Sequence, residues 1–296
     1  MNRDIPFTRD PHRGWMPWGA LAPILAIAFI VITALPTEML LEEFFNFGDK
    51  GPTDATGLLA FTLFPFGLLA IVLLAWVRYV ERRPLASIGL QWDRRLYCRG
   101  ALAGMAGILG IVFVCWVLGG YQARDWGVAW GSASSMISIV ALLGGFALQA
   151  GTEELLFRGW LLSVVSRKFN IATGVIVSSL AFSLVHFSPG QHWLNTLSLF
   201  LFSLFCCAWA LRAGSILGVM GWHAGWNWML AVGFDLPLTG IHVGIPALLV
   251  KVVPGESVWL TGGAAGPEGT VACVVYFVAG IALARMPRRP YRAAMA

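Results

Sequence analysis

Eight stretches of this 296-residue chain are predominantly apolar over close to the length a helix needs to cross hydrocarbon, about 20 residues at 1.5 Å per residue. They fall near 18–36, 56–77, 101–119, 136–157, 171–187, 194–211, 214–234 and 270–285. Lipid offers no hydrogen-bond partner, so each run must satisfy its own backbone as a helix. The fold class expected is all-α: a polytopic membrane helical bundle of about eight transmembrane helices. Composition agrees, because 58% hydrophobic against 12% charged residues is too apolar for an ordinary soluble domain. The stretch 241–253 is apolar but short and interrupted by Pro246, so a partial or re-entrant helix is expected there.

Eight crossings return both termini to one side. On that side the eight-span reading places 17 of the 20 Lys and Arg residues, leaving Lys50, Arg124 and Lys251 opposite. Loops rich in Lys and Arg stay inside, so both termini are expected to be cytoplasmic in a multi-pass protein of the cell (inner) membrane. Arg3, Arg9 and Arg13 precede the first run without a clear cleavage site, and it reads as an uncleaved span. Basic residues dispersed along loops point to the lipid bilayer as partner and to no nucleic acid. The cytoplasmic connection 78–100, with six arginines, is expected to be a solvated loop beside anionic headgroups. The glycine-rich 260–270 lacks the G-K-[ST] of a phosphate loop and reads as a turn-rich outer loop with Glu268 exposed. The five cysteines show no C-x-x-C spacing and read as apolar filler.

Against this background the stretch "GTEELLFRGW" (151–160) stands out, with adjacent carboxylates inside an apolar span. Glu153, Glu154, Arg158, His186 and His223 form the intramembrane ionisable set, and such groups are costly enough to be functional candidates. Glu154 and Arg158 stand at i,i+4 and can pair, while Glu153, rotated about 100°, is left unpaired. Glu153 lies 16 residues before the turn near Phe169 and His186 lies 17 after it. The helical rise then puts both about 24–26 Å from the turn, level across a hairpin. In "GWHAGWNWM" (221–229), His223 and Asn227 share a face. A carboxylate, two imidazoles and an amide at compatible depth are the parts of a hydrolytic site.

Glu153-Glu154-x-x-x-Arg158, Phe182-x-x-x-His186 and His223-x-x-x-Asn227 resemble, in order, the three motifs of the CAAX-protease and bacteriocin-processing (abortive-infection) family, which includes the type II CAAX prenyl endopeptidases. The resemblance covers about residues 136–234, and "ERRPLASIGL" (81–90) is similar to a segment often preceding that core. It implies a catalytic core at 136–234, flanked by three helices and a cytoplasmic loop in 1–135 and by a partial helix, outer loop and last span in 235–296. It also implies intramembrane endopeptidase activity at a site reached from the cytoplasm. Glu153 and His186 would activate water, and His223 and Asn227 would stabilise the oxyanion. Glu154, Arg158 and Phe182 would be structural or supporting. The implied substrate is a membrane-associated peptide or protein, lipidated at a CAAX tail or carrying a leader or bacteriocin sequence.

Three alternatives stay open. Zinc could be held by Glu153, His186 and His223, although asparagine is a poor ligand to complete the shell and no H-E-x-x-H is present. The cluster could serve a non-proteolytic membrane scaffold or immunity protein. A proton-coupled transporter could use Glu and His as a relay, although no two-half repeat is evident.

Overall fold

The computed structural model describes residues 13–48 and 51–285. Lys50, counted on the opposite side, lies outside them, as do Arg3, Arg9, Arg288, Arg289, Arg292 and both chain ends, whose cytoplasmic placement the charge count predicts. The described chain is a helical bundle: α1 (Ala22–Phe44), α2 (Ala55–Val80), α3 (Arg94–Val117), α4 (Ala133–Lys168), α5 (Ile171–Val185), α6 (Trp193–Ala213), α7 (Leu217–Gly233) and α8 (Val271–Arg285). Among the described residues six helical segments are long and apolar enough to cross a membrane: α1, α2, α3, α4, α6 and a last one counted from Gly263 to Arg285. Their exposed faces carry residues such as Ile24, Ile32, Met39, Phe64, Ile71 and Phe113, as a surface against lipid requires. This is a multi-pass membrane protein.

Two expected spans are short. α5 stops at His186 because Ser188-Pro189-Gly190 follows: proline disfavours helical backbone in the residue before it, and Gly190 takes φ +81°. Its first turn is capped by Asn170, which accepts from the Thr173 amide at 3.0 Å. α7 ends at Gly233, before Asp235 in the left-handed region (φ 54°) and Pro237.

α4 continues past the expected crossing at 136–157 to Lys168, as a helix reaching the turn near Phe169 requires, through a π-helical turn over Leu155–Leu161. Its extension is covered by the connection after α2, which is docked rather than merely solvated. Glu81 and Arg83 are buried and paired; Glu81 accepts from the indoles of Trp76 (3.1 Å) and Trp160 (2.6 Å), and Arg83 donates to Ser163 at 3.0 Å. The added hydrogen bonds help to make this buried ion pair tolerable, with Arg83 Nη2 left without a hydrogen-bond partner among the described residues. Arg78, Arg82, Arg94, Arg95 and Arg99 remain exposed, as a headgroup-facing loop expects.

This docking sets the depth of the site. Ser163 is level with the arginine-rich end of α2, and Glu153 lies ten residues further into the bundle, about 15 Å by helical rise. Thr152 donates to the Phe66 carbonyl (3.2 Å), midway along α2. Glu153 therefore sits near the middle of a hydrocarbon layer about 30 Å thick.

α3 and α7 interlock backbone against backbone. A Cβ on Gly104 would lie 2.0 Å from the Trp222 carbonyl oxygen; Gly100, Gly221 and Gly225 meet facing carbonyls as closely. Gly104→Ala should force the helices apart at a cost of about 1–3 kcal/mol, read as earlier thermal unfolding in detergent. Gly110→Ala on the same helix, which meets nothing within 4 Å, should be near neutral.

The stretch 241–253 forms no helix. Gly240 and Gly244 take φ +87° and +67°, and the chain then pairs as β4 (Val250–Pro254) antiparallel to β3 (Tyr121–Trp126), with Tyr121 opposite Pro254 and an irregularity between Ala123 and Trp126. A two-residue pair, β1 (Phe47–Gly48) with β2 (Gly51–Pro52), joins α1 to α2. Both sheets lie in connections at the arginine-poor end. The segment after α7 is held there by Glu268, which accepts from the Thr239 amide (3.0 Å) and hydroxyl (2.9 Å) and from the Trp226 indole (3.0 Å). Glu268 is thus a half-buried tether, not the exposed loop residue expected.

Candidate active site

Four helices bring the motif side chains together. α4 presents Glu153, the C-terminal residue capping α5 is His186, and α7 presents His223 and Asn227 from a face fixed by its glycine contacts with α3. α6 supplies Phe202, whose ring meets the His223 imidazole edge-on at 4.8 Å.

All four candidate catalytic residues line one cavity of about 360 Å³. The Nε2 atoms of His186 and His223 approach Glu153 at 3.9 and 3.8 Å. These separations are too long for a direct hydrogen bond and of the size one shared water spans. Each imidazole is oriented through its other nitrogen. His186 Nδ1 donates to the Phe182 carbonyl at 2.9 Å, occupying an acceptor left free in the last turn of α5. His223 Nδ1 donates to Glu154 at 2.9 Å. Both Nε2 atoms are thereby aimed at Glu153.

Glu154 and Arg158 stand behind the cavity wall with no exposed side-chain surface, 3.1 Å apart as an ion pair without hydrogen-bond alignment. One oxygen of Glu154 therefore serves both Arg158 and His223. The guanidinium lies 4.3 Å from the centre of the Phe182 ring and 5.5 Å from that of Phe202, a partial substitute for lost hydration. Phe182 also stacks on His186, with ring centres 4.3 Å apart, so one aromatic ring links the ion pair to the imidazole.

One participant was not singled out from the sequence. Gln149 donates to Glu153 at 2.7 Å and accepts from the Asn227 amide at 3.0 Å, tying carboxylate and amide into one network. Its signal was available: it is the one amide in the run 136–150 and lies four residues before Glu153, on the same face. At the cavity's other end Asp235 accepts from Lys251 (2.8 Å) and His242 (3.0 Å), and its carboxylate holds the exposed Lys251 ammonium above its ordinary pKa.

For zinc the fit is poor: among the described residues no group of three His, Cys, Asp or Glu side chains is arranged to hold a metal ion.

Fold and site define a class: a multi-pass membrane protein with a Glu–His–His–Asn cluster buried at mid-depth. Residues 134–229, about a third of the chain, match the family described as type II CAAX prenyl endopeptidase Rce1-like. The three motifs fall inside the matched stretch. Comparison with curated proteins and with solved structures returned no match.

Proposed function

We propose that the protein is an intramembrane endopeptidase that hydrolyses a peptide bond in a membrane-associated peptide or protein by glutamate-activated water. The observation carrying this reading is the convergence of two imidazole Nε2 atoms on the Glu153 carboxylate at the end of an accessible cavity.

In the proposed reaction Glu153 takes a proton from a water that His186 helps to hold, and the oxygen attacks the scissile carbonyl carbon. The carbonyl π-electrons move to oxygen, giving a tetrahedral oxyanion. Asn227 has a second N–H beyond the one given to Gln149, and His223, oriented by Glu154, presents Nε2 to the same space. Donors fixed before reaction are worth about 10²–10³-fold each in such sites. Collapse breaks the C–N bond, and the proton held by Glu153 passes to the leaving amine. The products are a carboxylate and an amine.

The two imidazoles are backed differently. His186 is held by a backbone carbonyl and His223 by a carboxylate. Gln149 is assigned to positioning. Gln149→Leu should lower kcat about tenfold with KM little changed, since a net hydrogen bond is worth about 1 kcal/mol. The decisive comparison is peptidomics of membranes from cells making the wild-type protein or Glu153→Gln. Peptide termini that vanish with the variant identify substrates; identical profiles would refute hydrolysis.

A further inference from the structure

The resemblance implies entry from the cytoplasm, but the cavity lies at the other end of the molecule. Its lining comes from the first half of α2 (Leu58, Phe61), the end of α5 (Val185 to Ser188) and the segment after α7 (Asp235 to Ile245), together with Glu268. Among the described residues, none in the arginine-rich connections 78–93, 167–170 and 212–216 lines it. The lining residues that reach the surface, Val185, Phe187, Ser188, His242 and Gly244, all belong to the arginine-poor end.

On the arginine-rich side of Glu153 the bundle is closed. Phe157, Arg158, Trp160 and Trp222 are each at most 1% exposed. Glu154 and the stacked rings of Phe182 and Phe202 complete this floor. A peptide coming from that side would have to part the Glu154–Arg158 pair, whereas one coming from the other side meets the catalytic residues first. Among the described residues the arginine-poor connections and helix ends carry eight carboxylates (Glu38, Glu42, Glu43, Asp54, Asp125, Asp235, Glu256 and Glu268) and only two cations, Arg124 and Lys251, and such a scarcity of Lys and Arg marks an external face.

We propose that the site takes its substrate from the extracytoplasmic side, as an extended segment of a membrane-anchored polypeptide emerging on that face; this rests on the hydrolytic reading above. Such a substrate is a translocated leader, or the stub of a membrane anchor, rather than a cytoplasmic tail. Its scissile bond enters from the outer leaflet and reaches Glu153 near mid-depth. The carboxylate-rich face selects against acidic flanks.

Accessibility and product mapping test this together. Ser188→Cys and His242→Cys place thiols at the cavity mouth, while the native exposed Cys98 reports on the arginine-rich end; the other cysteines are buried. In intact cells a membrane-impermeant maleimide should label positions 188 and 242 and reach Cys98 only after permeabilisation. Labelling of Cys98 in intact cells, with 188 and 242 protected, overturns the orientation. Peptide termini lost with Glu153→Gln should map to extracytoplasmic segments. Mouth labelling from outside with all such termini in cytoplasmic tails overturns the substrate class alone. Mouth labelling with an unchanged peptide profile overturns the hydrolytic reading, and the proposal with it.

Discussion

Purified Glu153→Gln is expected to lose peptide cleavage by about 10²–10⁴-fold, the range associated with a general base, while accumulating and eluting like wild type. Glutamine keeps the shape of the side chain and an oxygen that can still accept from Gln149 at the position of the 2.7 Å bond. What it loses is the ability to take a proton from water. Little folding stability should go with it, because Glu153 has no partner with a permanent charge within hydrogen-bond distance: its imidazole neighbours stand 3.8 and 3.9 Å away. Activity within a few-fold of wild type, measured against a substrate found by peptidomics, would end the assignment of Glu153 as base.

Glu154→Ala should behave in the opposite way and strike the fold first. Arg158 is fully buried, and Glu154 is its only ion-pair partner among the described residues. Removing one member of a buried pair leaves an uncompensated charge, at a cost of about 3–5 kcal/mol. A domain with only about 5–15 kcal/mol to lose would accumulate poorly and unfold early in detergent. The double variant Glu154→Leu/Arg158→Met separates the two roles. It should recover much of the stability, since an apolar pair can replace a buried ion pair. It should stay inactive, because nothing then orients His223 Nδ1. A stable, monodisperse Glu154→Ala single variant would show that the ion pair does not hold this region together.

Local information placed most of the bundle. A run of about 20 apolar residues has one backbone solution in lipid, so the helices around 56–77, 171–187 and 270–285 lie close to where the sequence puts them. The convergence of Glu153 and His186 was readable for the same reason: rise per residue is constant, and a hairpin turns equal counts into equal height. Where a segment's state depends on distant partners, the reading failed. Residues 241–253 pair with a strand more than 120 residues earlier, and the docking of Glu81 and Arg83 depends on Trp160 and Ser163. Glu268 is half-buried only because Thr239 and Trp226 come to it across the arginine-poor end.

The helical state of the apolar runs, the one carboxylate left out of the i,i+4 pair, and the intramembrane ionisable set follow from periodicity and from the cost of charge in hydrocarbon. These are properties of single helices. The shared use of Glu154 by Arg158 and His223, the Gln149 link between Glu153 and Asn227, and the end at which the cavity opens are properties of packing between helices. They arise because the close contact of α3 and α7 fixes which face of α7 meets α4, and because aromatic rings fill one side of the site and leave the other open.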